Sequence, residues 1–219
     1  MDLHIHSRYS FDSFTNPKEI IKIAINKKIK LVAITDHDTI KGGLVTFNEK
    51  KKINSDLFVI IGEEVNTNIG DIIGIFLNKE IKSKNINEVL DEIIDQDGLV
   101  ILPHPMKHHN LQSLNSCLDK IEFIEILNSR SPISTKKMDI IHSYNKKELG
   151  SSDAHFSFEI GKCYTLLDIP FTPNSYDDLP SIIRKYPLRA EGNFSPSFVE
   201  KCSQIVKKIK NINLLKLKF

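Results

Sequence analysis

The chain has 219 residues and a mass of 25.0 kDa, enough for one large domain or two small ones with a core that needs no disulfide staples. With 40% hydrophobic and 26% charged residues it is excluded from the intrinsically disordered class. A net charge of +2, arginines only at Arg8, Arg130, Arg184 and Arg189, and no tryptophan make a poor footprint for binding long nucleic acids.

In chain order, a short strand is expected around His4-Ile5-His6. A helix should start at Asn16-Pro17-Lys18-Glu19, which supplies an N-cap, a proline at the first helical position and an early glutamate, with Ile20, Ile21, Ala24 and Ile25 as its apolar face. Leu31–Thr35, Leu57–Ile61 and Ile72–Phe76 read as buried strands. Asn87–Gln96 reads as a helix with Val89, Leu90, Ile93 and Ile94 inward and Gly98 as its stop. Strands follow at Leu99–Leu102 and Ile121–Leu127, a helix at Ser134–Lys147, and a strand at Cys163–Leu167. Ser175–Lys185 is expected to be a helix interrupted early by Pro180. Ser195-Pro196 should open an amphipathic helix with Phe198, Val199, Cys202, Ile205, Val206 and Ile209 on one side. Its Lys201, Lys207, Lys208, Lys210, Lys216 and Lys218 then form a solvated face. Strand–helix alternation on this scale predicts an α/β barrel or a doubly wound sheet. Ile5-His6-Ser7-Arg8 stands where a nucleotide-binding sheet would carry a glycine-rich phosphate loop, which disfavours the second option.

Cys117, Cys163 and Cys202 are far apart and have neither disulfide nor metal-finger spacing, which fits a reducing compartment. The apolar runs stop at about five residues, against the ~20 a membrane span needs. Met1-Asp2-Leu3-His4 has no leader character. A cytoplasmic protein without membrane association is expected.

The chemistry lies with histidine and carboxylate at strand ends. His4 and His6, two apart on a strand, point to one side, and so do Asp153 and His155. Thr35-Asp36-His37-Asp38, Glu63-Glu64, Pro103-His104-Pro105 and Glu125 fall at the ends of further strands. In a barrel those ends converge on one face. So many ionisable groups at one pole would be expensive to bury unpaired, and a cluster of cations resolves the cost.

His4-Ile5-His6-Ser7, Thr35-Asp36-His37-Asp38, Gly62-Glu63-Glu64, Pro103-His104-Pro105, Ile124-Glu125-Ile126-Leu127-Asn128 and Ser152-Asp153-Ala154-His155, in this order, resemble the PHP (polymerase and histidinol phosphatase) family of metal-dependent phosphoesterases. The resemblance implies one PHP domain over residues 1–219, with core motifs in 2–165 and a barrel-completing segment with an amphipathic helix in 166–219. It implies a distorted (β/α)7 TIM-like barrel with two or three divalent ions. Carried over, His4, His6, Glu64 and Asp153 would hold the first ion. Glu64 would bridge to a second with His104, and Asp71 stands where many members supply a further histidine. His37 and His155 would hold a third. Its acidic ligand would be Asp12, since Phe11 occupies the position where many members carry that acid. Glu125 is a ligand or an acceptor behind the ligands. Asp36 and Asp38 are expected to orient imidazoles. His108 and His109 are either exposed loop residues or substrate contacts, and His142 is expected at the surface.

A histidine and carboxylate set without thiolates suits manganese, iron or zinc. The expected reaction is hydrolysis of a phosphate ester of a small molecule or nucleotide by metal-bound hydroxide. His37 or His155 would protonate the leaving group only if not fully committed to metal, and Arg8 and Arg130 would bind the phosphate, with Lys107 close to the ligand motifs. The alternatives are a nuclease on short oligonucleotides, a non-catalytic metal-binding module that regulates a partner and, more remotely, an amide hydrolase.

Overall fold

A computed structural model describes residues 1–105, 107, 111–132 and 135–216. Seven strands form one sheet in sequence order: β1 (Asp2–Ile5), β2 (Leu31–Ile34), β3 (Phe58–Thr67), β4 (Gly70–Ile75), β5 (Leu99–Leu102), β6 (Phe123–Asn128) and β7 (Lys147–Ser151). Neighbours pair in parallel except around β4, which is antiparallel to both β3 and β5. The sheet curls until the segment after β7 meets β1. The His6 N–H donates to the Ala154 carbonyl at 2.8 Å, and the Ala154 N–H to the His4 carbonyl at 3.3 Å. The result is a nearly closed, distorted (β/α)7 barrel.

Helices α1 (Pro17–Asn26), α2 (Lys41–Lys51), α3 (Ile86–Ile94), α4 (Leu111–Leu114), α5 (Thr135–Ser143) and α6 (Leu179–Lys185) accompany the sheet, and α7 (Phe198–Lys216) follows it. Three apolar clusters hold the layers together. Ile20, Ile21 and Ala24 of α1 pack with Val32, Ile34 and Val59; Val89, Leu90 and Ile93 of α3 pack with Val100 and Leu102; Leu179 and Ile183 of α6 pack with Leu31, Leu99 and Phe123. Each such valine, leucine, isoleucine or phenylalanine side chain contributes about 1.5–3 kcal/mol on burial.

The ends of α1 and α3 follow local chemistry. The Asn16 side chain accepts the Lys18 N–H at 3.0 Å, and Asn85 does the same for Asn87 at 3.1 Å. The left-handed residue that stops α3 is Asp97 (φ 57°), not Gly98. A side chain on Gly98 would still collide, since its Cβ would lie 2.8 Å from the Ile93 carbonyl. Ile25 and Ile94, expected inward, are both exposed at the edges of their helices.

Several boundaries differ from the sequence reading. β3 runs on to Thr67, so Glu63 and Glu64 sit inside a strand and not at its end. α2 has little apolar periodicity and opens with Gly42-Gly43. Gly42 is required there, because its Cβ would stand 1.8 Å from Asp36 Oδ2 and 2.2 Å from Ser7 Oγ. The helix expected at Ser134–Lys147 spans Thr135–Ser143, with Ser134 outside the described residues, and Lys147 instead begins β7. α6 starts at Leu179, which puts Pro180 in its first turn, where a missing N–H costs nothing. Residues 166–219 add no strand to the barrel. Instead β8 (Cys163–Leu167) and β9 (Leu188–Gly192) form a separate antiparallel pair, tied to β7 where Thr165 Oγ1 bonds the N–H and carbonyl of Gly150. The buried side of α7 is Val199, Ser203 and Val206. Phe198, Ile205 and Ile209, expected to pack inward, are exposed. No helix among the described residues is long and apolar enough to cross a membrane.

Candidate metal centre

The strands deliver their polar residues to one pole. β1 carries His4 and leads into His6, and the turn after β2 carries His37, bridged in parallel to Glu64 of β3. Because β4 runs antiparallel, it brings Asp71, near its start, to the same pole beside Glu64. The turns after β5 and β7 add His104 (φ 28°) and Asp153 (φ 53°), both non-glycine residues in the left-handed region. Strained backbone of this kind costs about 1–3 kcal/mol and is concentrated at functional sites. His155 follows Asp153.

The ligand atoms fall into overlapping groups. His4, His6 and Glu64 converge, as do Glu64, Asp71 and His104; a third group holds His4, His104 and Asp153, and a fourth His6, Asp12, His37 and His155. His4 Nε2 lies 3.0 Å from His6 Nε2, 3.3 Å from Glu64 Oε2 and 3.5 Å from Asp153 Oδ1. Glu64 spans two groups. Its Oε2 is 3.2 Å from both His6 Nε2 and His37 Nδ1, while Oε1 is 3.0 Å from His104 Nε2. Asp12 Oδ2 stands between His37 (3.3 Å) and His155 (3.0 Å).

Glu125, fully buried, accepts from His4 Nδ1 at 2.9 Å, from the His104 N–H at 3.0 Å and from Asn128 Nδ2 at 2.9 Å. An ionised carboxylate only accepts, so His4 carries its proton on Nδ1 and turns Nε2 to the pole. There it faces the Nε2 of His6 at 3.0 Å. With both rings neutral and their protons on Nδ1, two lone pairs are aimed at one space, and a cation fits between them. Ligand atoms about 2.0–2.2 Å from one ion fall about 3.0–3.5 Å apart, the spacing seen here. The donor set therefore fits divalent metal.

Electrostatics agree. Burial alone would depress His4, but Glu125, Asp153 and Glu64 outweigh it and raise its pKa well above the ordinary value. His6 is pushed up to about 9 by hydrogen bonds to Asp153 and Glu64 that overcome its burial. Glu64 and Asp153 are held well below the carboxylate range, burial being outweighed by the surrounding imidazoles. Burial and the neighbouring His6 lower His155 to about 4. Without ions, then, His6 holds a proton at neutral pH that metal must displace. Apparent metal affinity should rise with pH between 6 and 8, by about tenfold per unit for each proton displaced, since the raised His6 pKa of about 9 lies above this window. Metal titrations at several pH values, with proton release followed by an indicator dye, check this. A pH-independent affinity would contradict it.

Some residues lie elsewhere than expected. Asp36 accepts the Ser7 N–H and hydroxyl, both at 2.6 Å, and bonds no imidazole; it fixes the turn after β1. Asp38 pairs with Lys84 and accepts from the Asn66 N–H at 3.3 Å. Both serve backbone because their turns leave N–H groups to satisfy. Glu63 points away from Glu64 and accepts the Ile81 N–H at 3.0 Å. Arg8 is exposed and is not among the residues that line the cleft. Arg130 does line it, but it also reaches the Val199 carbonyl (3.1 Å) and Ser203 of α7, with Glu159 3.4 Å away. His142 is exposed, 2.5 Å from Glu148. His108 and His109 lie outside the described residues.

The cleft over this pole is about 460 Å³, within the size range of small-molecule sites. Glu200, Ser203, Gln204 and Lys207 of α7 form part of its wall, which no local sequence signal announced. Also unanticipated is Glu159, which accepts the His155 N–H at 3.1 Å and stands beside Arg130. Phe11 stacks on His37, with centroids 4.5 Å apart and the rings 8° from parallel.

Lys210, expected in the solvated face of α7, turns inward. Its Nζ donates to the carbonyls of Arg8 (2.7 Å), Ser10 (2.6 Å) and Ser13 (2.5 Å), the loop that carries Asp12. All three ammonium protons are used. Lys210→Met should lower affinity for the ion beside Asp12 about 10- to 100-fold, the range for losing support behind a ligand. The ions at His4 and His104 should remain. Elemental analysis after dialysis decides, and a full complement in the variant would refute the role.

The sequence profile of the PHP domain family matches residues 2–186. Two uncharacterised proteins of Methanocaldococcus jannaschii are similar. One is 44% identical over 115 residues (48% of this chain, 66% of that protein), the other 35% identical over 176 residues (75% and 68%). The chain thus spans about two thirds of each relative's length. Among solved structures, the fold is shared with a two-domain Bacteroides vulgatus protein described as containing a predicted PHP-like metal-dependent phosphoesterase (TM-score 0.70, 17% identity, 88% of this chain and 64% of that one). It is shared too with a lesion-specific endonuclease from Pyrococcus furiosus (TM-score 0.64, 18% identity, 87% and 58%). With the ordered motifs folded to one pole and a family match over most of its length, the chain belongs to the PHP domain family.

Proposed function

We propose that this protein hydrolyses a phosphate ester of a small molecule or nucleotide with two or three divalent ions of manganese, iron or zinc. The observation that carries the reading is the approach of His4 Nε2 to His6 Nε2 at 3.0 Å, amid Glu64 and Asp153, with Glu125 fixing the His4 tautomer from behind. In this reading His4, His6, Glu64 and Asp153 hold one ion, Glu64, Asp71 and His104 a second, and Asp12, His37 and His155 a third. Bound there, the ions would supply an acidic water as nucleophile and neutralise charge on the phosphoryl oxygens.

The chain's own groups do the rest. Arg130, held in place by Glu159 and α7, presents guanidinium N–H groups to the substrate phosphate. Arg8, exposed and off the cleft lining, is not needed for this. His155, lowered to about 4, is neutral at pH 7, and the Asp153 carbonyl 2.9 Å from its Nδ1 holds the proton on that nitrogen. Its Nε2 is thereby kept as a lone pair for the pole, so of the two it is His37 that would pass a proton to the leaving group, in a state in which the third ion does not hold it. The 460 Å³ cleft has the size to hold a mononucleotide or sugar phosphate.

The test is metal content and turnover together. Protein purified without chelator, alongside His6→Ala, is assayed for Mn, Fe and Zn and for hydrolysis of p-nitrophenyl phosphate and its diester. Two or more equivalents with metal-dependent turnover, both reduced in the variant, support the reading. No uptake on reconstitution would leave a partner-binding module instead.

A further inference from the structure

Three cations line the cleft: Lys107, Arg130 and Lys207. Two have carboxylates beside them. Lys107 pairs with Glu200 at 3.2 Å, and Arg130 lies 3.4 Å from Glu159. Lys207 has no carboxylate within ion-pair distance among the described residues. Its Nζ stands 4.4 Å from the centre of the Phe11 ring. His37 already covers one face of that ring in a parallel stack, so the ammonium occupies the other face. One phenyl ring therefore separates Lys207 from a candidate metal ligand.

The helix under Lys207 is pinned on both sides. One turn on, Lys210 grips three carbonyls of the loop that carries Phe11 and Asp12; one and two turns back, Ser203 and Val199 hold Arg130. These bonds fix the helix backbone under Lys207, whose side chain is exposed. The result is a positive charge with no carboxylate partner among the described residues, resting over an aromatic wall at the cleft rim. It lines the same cleft as the candidate metal ligands without belonging to any of their groups, and it is placed for a further charge on the substrate.

We propose that Lys207 selects substrates with a second anionic group, a carboxylate or a phosphate, carried about one aromatic ring's breadth from the scissile phosphate. The inference rests on the phosphoesterase reading for its catalytic consequence, but not for its binding consequence. Lys207 is then a specificity residue supplied by α7, beyond the family match that ends at residue 186.

The test uses the full, metal-loaded chain and two matched pairs of probes. The substrates are phenyl phosphate and 4-carboxyphenyl phosphate; the non-hydrolysable ligands are phenylphosphonate and 4-carboxyphenylphosphonate, titrated calorimetrically. The wild type should favour the carboxylated member of each pair by about two- to fivefold in kcat/KM and in Kd, the range of a partly screened ion pair, with the preference shrinking as salt rises. Lys207→Met should abolish the preference while keeping its metal equivalents, which shows that it folds, and Lys207→Arg should restore most of it. A wild type without preference, a methionine variant that keeps it, or failure of both phosphonates to bind overturns the proposal. If neither ester is turned over but the carboxylated phosphonate still binds preferentially through Lys207, the hydrolase reading fails and the anion site stands.

Discussion

Glu64→Gln should cost at least one equivalent of bound metal and about 10³-fold or more in turnover. The reason is the number of imidazoles that face this one carboxylate. Oε2 lies within 3.3 Å of nitrogen atoms on His4, His6 and His37, and Oε1 within 3.0 Å of His104. Glutamine preserves the shape but replaces one oxygen by an amide nitrogen, which has no lone pair to offer an ion. Whichever way the amide turns, one group loses its shared ligand. Elemental analysis and a metal-supplemented phosphate-ester assay read both losses, and a variant with full metal content and wild-type turnover would refute the bridging role.

Glu125→Ala should be the more damaging change to stability. Three buried donors, His4 Nδ1, the His104 N–H and Asn128 Nδ2, converge on this carboxylate. Truncation leaves His4 Nδ1 and the His104 N–H without this buried acceptor and Asn128 Nδ2 with only a 3.4 Å contact to Asp153, and removing one partner of a buried charged network typically costs about 3–5 kcal/mol. It also frees His4 to take the other tautomer, for which a further 10- to 100-fold loss of metal affinity is expected. Glu125→Gln separates the two effects. It fills the cavity and can still accept from His4, but its NH2 then meets two donors. Urea unfolding of the ion-free proteins should rank wild type above glutamine and glutamine above alanine, with metal affinity reduced in both variants. Equal stability of the alanine variant and the wild type would show that Glu125 is not integral to the pole.

The pole was legible in the sequence because its signals are local. His4 and His6 sit two apart on a strand, Asp153 and His155 repeat the spacing around a turn, and strand ends of a barrel meet by topology. Asp71 is reached differently, through the resemblance, as the residue standing where many members of the family supply a further histidine. Illegible parts depended on distant packing. α2 opens with two glycines and has almost no apolar stripe, and what makes Gly42 necessary is the Asp36–Ser7 pair, which lies outside the helix. β7 begins with Lys147-Glu148, which reads as the tail of a helix and becomes strand only by pairing with β6. For α7, two apolar stripes compete, one with Val199 and Val206 and the other with Phe198, Ile205 and Ile209. The barrel takes the first because Ser203 and Lys210, on that side, meet Arg130 and the loop after β1. The inward turn of Lys210 depends on a contact across 202 residues, beyond any local pattern.

That separation sets an order of events during synthesis. His4 and His6 leave the ribosome among the first residues, yet the loop that presents Asp12 is held by a lysine translated 202 positions after Arg8. At about 5–20 residues per second, those two ends are some 10–40 seconds apart. For most of that interval the seven strands that gather those histidines are still incomplete, since β7 ends at Ser151. The loop of Asp12 gains its three bonds to Lys210 later still, when residue 210 has emerged and docked, so that side of the pole is completed by α7 and not by the appearance of its own residues.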